Sequence, residues 1–347
     1  MEKTGDQAVS SDAGAADVFW IVSSRGVGDP ESNPAEALNA LRFYQAHTVG
    51  GWSSISRDDL TQAVAGDQPV VVWIHGNRMD FRDSVRSAAA LQRVLNRLVP
   101  DRRYVLVAWS WPADRMIRGI RQDSRLKSCR SEQEAALLAQ WIEQTLRHRT
   151  VVLVGYSFGA QTALKTAALL TDSQLPEGAT VTAPPPQSAA IASSGSGALA
   201  AMLSGDWMGA TCPVEALFAS TRSDALREDA AELHLRLLAT AAACPAGSLA
   251  AWLSDNAAEP EFIGITVNQR DPALRWYTHL WSHRGPQALG AVGPYGIPSA
   301  IEDAVMIQDV TCQVGRTHDW EAYLCSPGFR ELLRKALAGP TGPSSSP

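Results

Sequence analysis

The chain has 347 residues, of which 45% are hydrophobic and 19% charged, and a formal net charge of -6. That suits one large α/β domain or two small ones, in the composition range of soluble globular proteins. Its charges are scattered, so no basic stripe recommends nucleic acid and no polybasic cluster recommends anionic lipid.

Residues 1–16 are small and polar and are expected to form a disordered tail. The N-terminus MEKTGDQAVSSDAGAADV has no basic n-region and no apolar h-region, and no apolar run approaches membrane-spanning length. The expectation is a cytoplasmic protein with no stable membrane insertion. The five cysteines, Cys129, Cys212, Cys244, Cys312 and Cys325, show neither a C-x-x-C motif nor Cys/His metal spacing. They read as reduced thiols, with no metal site.

The first strand is predicted at 18–23, VFWIVS, followed by turn chemistry in Arg25-Gly26-Val27-Gly28-Asp29-Pro30. Residues 33–67 carry a weak pattern of hairpin strands or short helices. Residues 69–75, PVVVWIH, are continuously apolar, the mark of a strand buried on both faces. It stops at His75-Gly76-Asn77-Arg78. A helix follows over 80–98, with Val85, Ala88, Leu91, Val94, Leu95 and Leu98 at helical spacing. A strand over 104–108 runs into Trp109-Ser110-Trp111-Pro112. The Arg-rich piece 115–130 reads as a solvated helix or loop face, and 132–146 as an amphipathic helix.

Residues 150–171, TVVLVGYSFGAQTALKTAALLT, organise the rest. The run of β-branched and aliphatic residues Val151 to Val154 breaks at Gly155-Tyr156-Ser157-Phe158-Gly159 and resumes as Ala and Leu at helical spacing. That is strand, tight turn, helix, the context in which G-x-S-x-G holds a serine at strained backbone angles above a sheet. Gly155 and Gly159 are then required sterically, since a Cβ at either would collide across the turn. The bland alternative makes Ser157 an ordinary helix N-cap.

Downstream the character changes. A short strand at 179–182 leads to Pro184-Pro185-Pro186, a segment rich in Ala, Ser and Gly, and an Ala-rich helical pattern to about 256. Residues 184–256 read as a lid-like insertion, with a flexible linker as the competing reading. Strands follow at 261–268 and 304–312, with a helical stretch at 274–281, a closing helix at 327–338 and a Pro/Ser tail at 339–347. Alternating strand and helix argue for one α/β domain over 17–338, a mostly parallel twisted sheet with helices on both faces.

A serine hydroxyl needs a neighbouring base to attack at neutral pH, and an acid behind a histidine fixes its tautomer. In such a sheet the partners come in chain order serine, acid, histidine, on loops at the carboxyl ends of strands. His47, His75 and His148 precede Ser157, His234 falls in the insertion, and His279 and His283 lie in or just after a helix. His318, in the loop after the last strand, is the candidate base. Asp271 follows the strand 261–268 by a short turn and is the candidate acid, although Pro272 after it also suits a helix N-cap. Asp309 is the other candidate acid, and Asp319 adjoins the histidine too closely to turn back onto it. Negative charge developing on a carbonyl oxygen needs donors. The backbone N–H groups of Phe158 and Asn77 are the candidates, with Gly76 allowing close approach and His75 organising the loop. Tyr156 and Arg78 are the candidate substrate-binding residues.

With VVVWIHGN, YVLVAWSWP and VVLVGYSFGAQ in this order, the chain resembles the α/β-hydrolase superfamily, in its serine esterase and lipase branch. VNQRDPALRWY, ALGAVGP and VTCQVGRTHDW are similar to a bacterial group of hydrolases with no assigned substrate. The resemblance covers roughly 17–338 and implies the flanked sheet, cleavage of an ester-like bond in a small molecule, and no cofactor. The chain departs from common members in its proline run and low-complexity 184–197, where a shaped lid is expected. A serine at the elbow separates it from the epoxide hydrolase and haloalkane dehalogenase branches, which place an aspartate there. Among the eleven tryptophans, Trp109, Trp111, Trp276, Trp281 and Trp320 lie near strand ends, as core residues or as walls of an acyl pocket.

Three functions fit this reading. The first is a serine hydrolase cleaving a carboxylic ester, thioester or amide-like bond through an acyl-enzyme. The second is an acyltransferase on the same machinery, and the third a binding protein that kept the fold without turnover. The sequence does not separate the first two, because the acceptor is chosen by water exclusion around the acyl-enzyme.

Overall fold

Val70–Ile74 is buried along its whole length, which a strand achieves only with a neighbour on each side and helices above and below. The computed structural model describes residues 17–28, 30, 33–100, 103–115, 119–172, 233–253, 259–281 and 285–338. Its strands are β1 (Val18–Ser23), β2 (Arg42–His47), β3 (Trp52–Ile55), β4 (Val70–Ile74), β5 (Val105–Ser110), β6 (Thr150–Tyr156), β7 (His234–Thr240), β8 (Phe262–Val267) and β9 (Val305–Asp309). They form one sheet in the order β3-β2-β1-β5-β4-β6-β7-β8-β9. The β1–β2 and β2–β3 pairs are antiparallel, and the pairs from β1–β5 to β8–β9 are parallel. This is the architecture expected from the alternating pattern, and its parallel part brings the carboxyl ends of β4, β5, β6, β7, β8 and β9 to one edge.

Helices α1 (Pro34–Asn39) and α2 (Arg57–Ala63) lie in the stretch of weak pattern, which also holds β2 and β3. Asp80 caps α3 (Phe81–Leu98), which carries its buried residues at the spacing read from sequence. Helix α4 (Ile120–Thr145) packs along α5 (Phe158–Asp172), and α5 lies on β6 and β7. The closing helix Pro327–Ala338 matches its expected limits and packs on β7, β8 and β9. No helix among the described residues is long and apolar enough to cross a membrane.

Several expectations need correction. β7 lies inside the region read as an insertion to residue 256, paired in parallel between β6 and β8. Its sequence HLRLLAT lacks a β-branched core and reads as helical by propensity, and pairing on both sides overrides that. Arg236, the polar residue that disguised the strand, is buried with its guanidinium on Glu261 and on the Ala336 carbonyl. Residues 173–232, holding the proline run and the expected strand at 179–182, lie outside the described residues, as do the tails 1–16 and 339–347.

The segment 115–130 is not a solvated face throughout, because α4 starts at Ile120 and buries Asp123, Ser124, Lys127 and Ser128. The Glu134 carboxylate explains part of this, accepting from Ser24 Oγ at 2.6 Å, Trp109 Nε1 at 2.9 Å and Arg130 Nε at 2.8 Å. The helical stretch 274–281 is two short helices, Pro272–Trp276 and Thr278–Trp281, and the strand expected at 304–312 ends at Asp309. Cys129 is disulfide-bonded, so the expectation of five thiols fails there, while Cys244, Cys312 and Cys325 are free.

Candidate active site

β6 delivers its chain into a turn at Ser157, which sits at φ 57°. Three backbone hydrogen bonds hold it there: Ser157 N–H donates to the Thr240 carbonyl, and the Ser157 carbonyl accepts from Ala160 and Ala243 N–H. A left-handed non-glycine residue is costly, so this turn is over-determined by its neighbours. A Cβ at Gly159 would overlap the Ile74 carbonyl and lie 2.5 Å from the His75 carbonyl oxygen, while one at Gly155 would lie 2.5 Å from Ala160 Cα. Both glycines are sterically required, and Ser157 is the apex of an elbow instead of a conventional N-cap.

His318 comes from the loop between the short helices Thr311–Val314 and Trp320–Cys325. Its Nε2 is 3.0 Å from Ser157 Oγ and its Nδ1 is 2.6 Å from Asp271 Oδ2. A carboxylate only accepts, so Nδ1 carries the proton and Nε2 presents its lone pair to the hydroxyl. The two partners thereby select the tautomer that a general base needs.

Asp271 is fully buried at the carboxyl end of β8. Its Oδ1 accepts from Ala273 and Leu274 N–H at 2.9 and 3.2 Å, capping the helix Pro272–Trp276. Its Oδ2 serves His318 and also accepts from the Tyr323 hydroxyl at 2.6 Å. The N-cap and the catalytic acid are therefore one residue, using different oxygens. Burial, then the Asp271 charge, pushes the Tyr323 phenol far up, so it stays a donor.

Asp309 is exposed, with Oδ1 taken by the Thr311 N–H at 2.8 Å, and hydrogen bonds to Thr311 hold its carboxyl below the usual range. It is no partner of the histidine. Asp319 does not turn back onto His318 but caps the helix Trp320–Cys325, accepting from Glu321 N–H.

Two tyrosines that sequence reasoning did not place in this role support the histidine. Tyr323 buttresses the acid as above. Tyr156 is buried, its ring stacks on His318 at 5.2 Å, and its hydroxyl donates to the His318 carbonyl at 2.6 Å. That hydroxyl is committed to the base loop, which leaves it no free hydrogen for a substrate. Its place beside the nucleophile was a usable signal, whereas nothing in the local sequence marks Tyr323, 52 residues from its partner.

The loop after β4 comes close to the nucleophile: a Cβ at Gly76 would lie 3.1 Å from Ser157 Cβ. Asn77 Oδ1 accepts from Arg78 N–H at 2.7 Å, and Arg78 is exposed at φ 62°. Phe158 opens α5, where first-turn amides have no intrahelical acceptor. Trp109, Trp111 and Trp320 are buried, with Trp320 against Trp73 at 4.0 Å, so they belong to the core and not to a pocket wall. Among the described residues no group of three or more His, Cys, Asp or Glu could hold a metal ion.

Residues 55–177 match the family described as alpha/beta hydrolase of unknown function (DUF900). That segment spans β4 to α5 and includes the elbow. No curated protein matches the chain. A Pyrobaculum calidifontis esterase in its monoclinic form is similar at 12% identity over 86% of this chain and 80% of that one, with a TM-score of 0.31.

Proposed function

We propose that this chain, a member of the α/β-hydrolase superfamily, cleaves a carboxylic ester of a small molecule through an acyl-enzyme on Ser157. One observation carries the reading. Ser157 Oγ, the His318 imidazole and the Asp271 carboxylate form a continuous hydrogen-bonded line of 3.0 and 2.6 Å. Residues from three separate loops meet in the order that nucleophilic catalysis requires.

In the first half-reaction Ser157 Oγ attacks the carbonyl carbon while His318 Nε2 takes the hydroxyl proton. His318 then gives that proton to the departing alkoxide, leaving the acyl group on Ser157. In the second, His318 takes a proton from water, the resulting hydroxide attacks the acyl carbon, and Ser157 recovers its proton as the acid leaves. Asp271 stays ionised and orients the ring throughout.

The N–H groups of Phe158 and Asn77 are the donors for the oxyanion in this reading. Support comes from the helix start at Phe158 and from the close approach of the Gly76 backbone to Ser157. Arg78, exposed in the same loop, is the substrate-binding residue of this reading. Tyr156 contributes at the site by holding His318. A cytoplasmic place of action belongs to the same reading, supported by the free thiols Cys244, Cys312 and Cys325 and opposed by the disulfide at Cys129; cell fractionation decides it.

Incubation with a fluorophosphonate probe tests the assignment. Ser157 is expected to carry the label, and Ser157→Ala to abolish both labelling and hydrolysis of p-nitrophenyl esters. Undiminished labelling of the alanine variant would remove Ser157 from this role.

A further inference from the structure

Arg25 lies in the turn after β1, well away in sequence from every residue of the triad. Its side chain is nonetheless only 15% exposed and is used at each nitrogen. Nε donates to Ser110 Oγ at 2.9 Å, one terminal nitrogen pairs with Asp114, and the other donates to the Met79 carbonyl at 2.8 Å. The last nitrogen also lies 3.4 Å from His75 Nε2. Ser110 and Asp114 belong to the end of β5 and the loop after it, while His75 and Met79 bracket the loop after β4. One guanidinium therefore ties together two loops, which also meet in a backbone bridge between Met79 and Ala113.

The His75 ring completes the arrangement. It is fully buried, stacks on Trp111 at 5.6 Å, and its Nδ1 is 2.8 Å from the Gly76 carbonyl oxygen. A carbonyl oxygen cannot donate, so Nδ1 carries the hydrogen and Nε2 is the acceptor. Nε2 receives the Trp111 N–H at 3.3 Å and faces Arg25. Burial first, and the Arg25 charge second, push the imidazole down to about 3, so it stays a neutral bracket across the working range. The Trp111 indole returns the link by donating to the His75 carbonyl at 2.8 Å.

Between these two anchors lie only Gly76, Asn77 and Arg78, and the left-handed Arg78 shows that the path is constrained. We propose that Arg25 is a positioning residue for this loop: acting through His75 and the Met79 carbonyl, it fixes the Asn77 N–H in the place where it receives the oxyanion. The inference rests on the serine-hydrolase reading with Asn77 as donor. Arg25 touches neither substrate nor reacting atoms. Its contribution is geometric, and a donor displaced by a fraction of an ångström loses most of its effect on the transition state.

The test compares Arg25→Met, which keeps the aliphatic stem and removes the guanidinium with its donors, with the parent enzyme on p-nitrophenyl acetate. The milder Asp114→Ala, which removes one tether, serves if Arg25→Met does not fold. Expected for Arg25→Met is a fall in kcat on the order of 10- to 100-fold with KM changed by less than about threefold. The midpoint of the pH–rate profile should not move, and added guanidinium ion should restore part of the activity. Hydrogen exchange should accelerate in peptides covering 75–79 and not in those covering β6. A kcat within about twofold of the parent, or exchange that accelerates throughout the sheet, overturns the proposal. Should the parent enzyme neither turn over esters nor label at Ser157, the hydrolase reading falls by itself. The exchange measurement then still judges Arg25: faster exchange confined to 75–79 supports it as the loop's anchor, and unchanged exchange there refutes it.

Discussion

Replacing Tyr323 with phenylalanine removes the phenol's hydrogen bond to the buried acid of the triad, together with its hydrogen bond to Asn268. The ring is fully buried beside Tyr156, at 6.2 Å between centroids, and its shape is kept in the variant. Only the hydroxyl, 2.6 Å from Asp271 Oδ2, is lost. A hydrogen bond to a charged group contributes about 1.5–3 kcal/mol, and Asp271 has no water contact to compensate. The expected loss of unfolding free energy is therefore about 1.5–3 kcal/mol. Activity should fall much less than the removal of the acid implies, because the carboxylate keeps His318 Nδ1 and the amides of Ala273 and Leu274. A decrease of roughly tenfold or less in kcat is expected, against about 10⁴-fold for Asp271→Asn, which presents the wrong tautomer to the histidine. Urea unfolding of both proteins, with steady-state rates on p-nitrophenyl acetate, reads the two effects separately. Stability within about 0.5 kcal/mol of the parent would refute the assigned strength of this bond. A loss of kcat as deep as that of Asp271→Asn would show that the phenol takes part in the chemistry itself.

The elbow and the bracket histidine give two further tests. Gly159→Ala must push a Cβ into the backbone of β4 at Ile74 and His75, so it should cost about 1–3 kcal/mol or more and abolish probe labelling; normal stability with normal labelling would contradict the close approach. His75 has its folded value lowered from 6.5 to about 3 by burial, so the unfolded chain binds a proton at this site that the folded one refuses. Its stabilising contribution is complete above pH 6.5 and is lost as pH falls toward 3. Between pH 6.5 and 5 the stability difference between the parent and His75→Asn should shrink at up to about 1.4 kcal/mol per pH unit, as followed by urea unfolding, and a flat difference would mean that the imidazole is not held neutral.

The parts of this fold legible in the sequence are those where one residue type has one physical use. A fully apolar run such as Val70–Ile74 has no stable place except the middle of a sheet, and two glycines flanking a serine between strand and helix have few uses besides an elbow. β7 and the first half of α4 were not legible for the opposite reason. Arg236, Asp123, Lys127 and Glu134 are polar residues that the fold buries, so a rule that sends polar residues to solvent misplaces them. Their partners, such as Glu261 for Arg236 and Ser24 and Trp109 for Glu134, lie 25 or more residues away. Pairings of that kind are set by tertiary packing, which no window of sequence contains. The same holds for the supports of the site: Ser157, His318 and Asp271 could be chosen by order along the chain, whereas Tyr323 and Arg25 act through contacts that local sequence does not announce.

Asp271 shows why two readings that look exclusive in sequence can both hold. An N-cap asks for one side-chain oxygen directed at the first amides of a helix, and a triad acid asks for one directed at an imidazole. A carboxylate has two oxygens, and here they are divided between the tasks, Oδ1 to Ala273 and Leu274, Oδ2 to His318 and Tyr323. The division has a mechanical consequence. The helix amides hold the plane of the carboxylate independently of the histidine, so the helix start at Pro272 sets the direction along which Nδ1 must approach. An asparagine at this position can keep the cap through its carbonyl oxygen. It then turns its amide nitrogen toward His318, where the ring must accept in place of donating. The cap therefore enforces the wrong tautomer in that variant, and stability and activity separate: Asp271→Asn is expected to keep the short helix Pro272–Trp276 while losing catalysis.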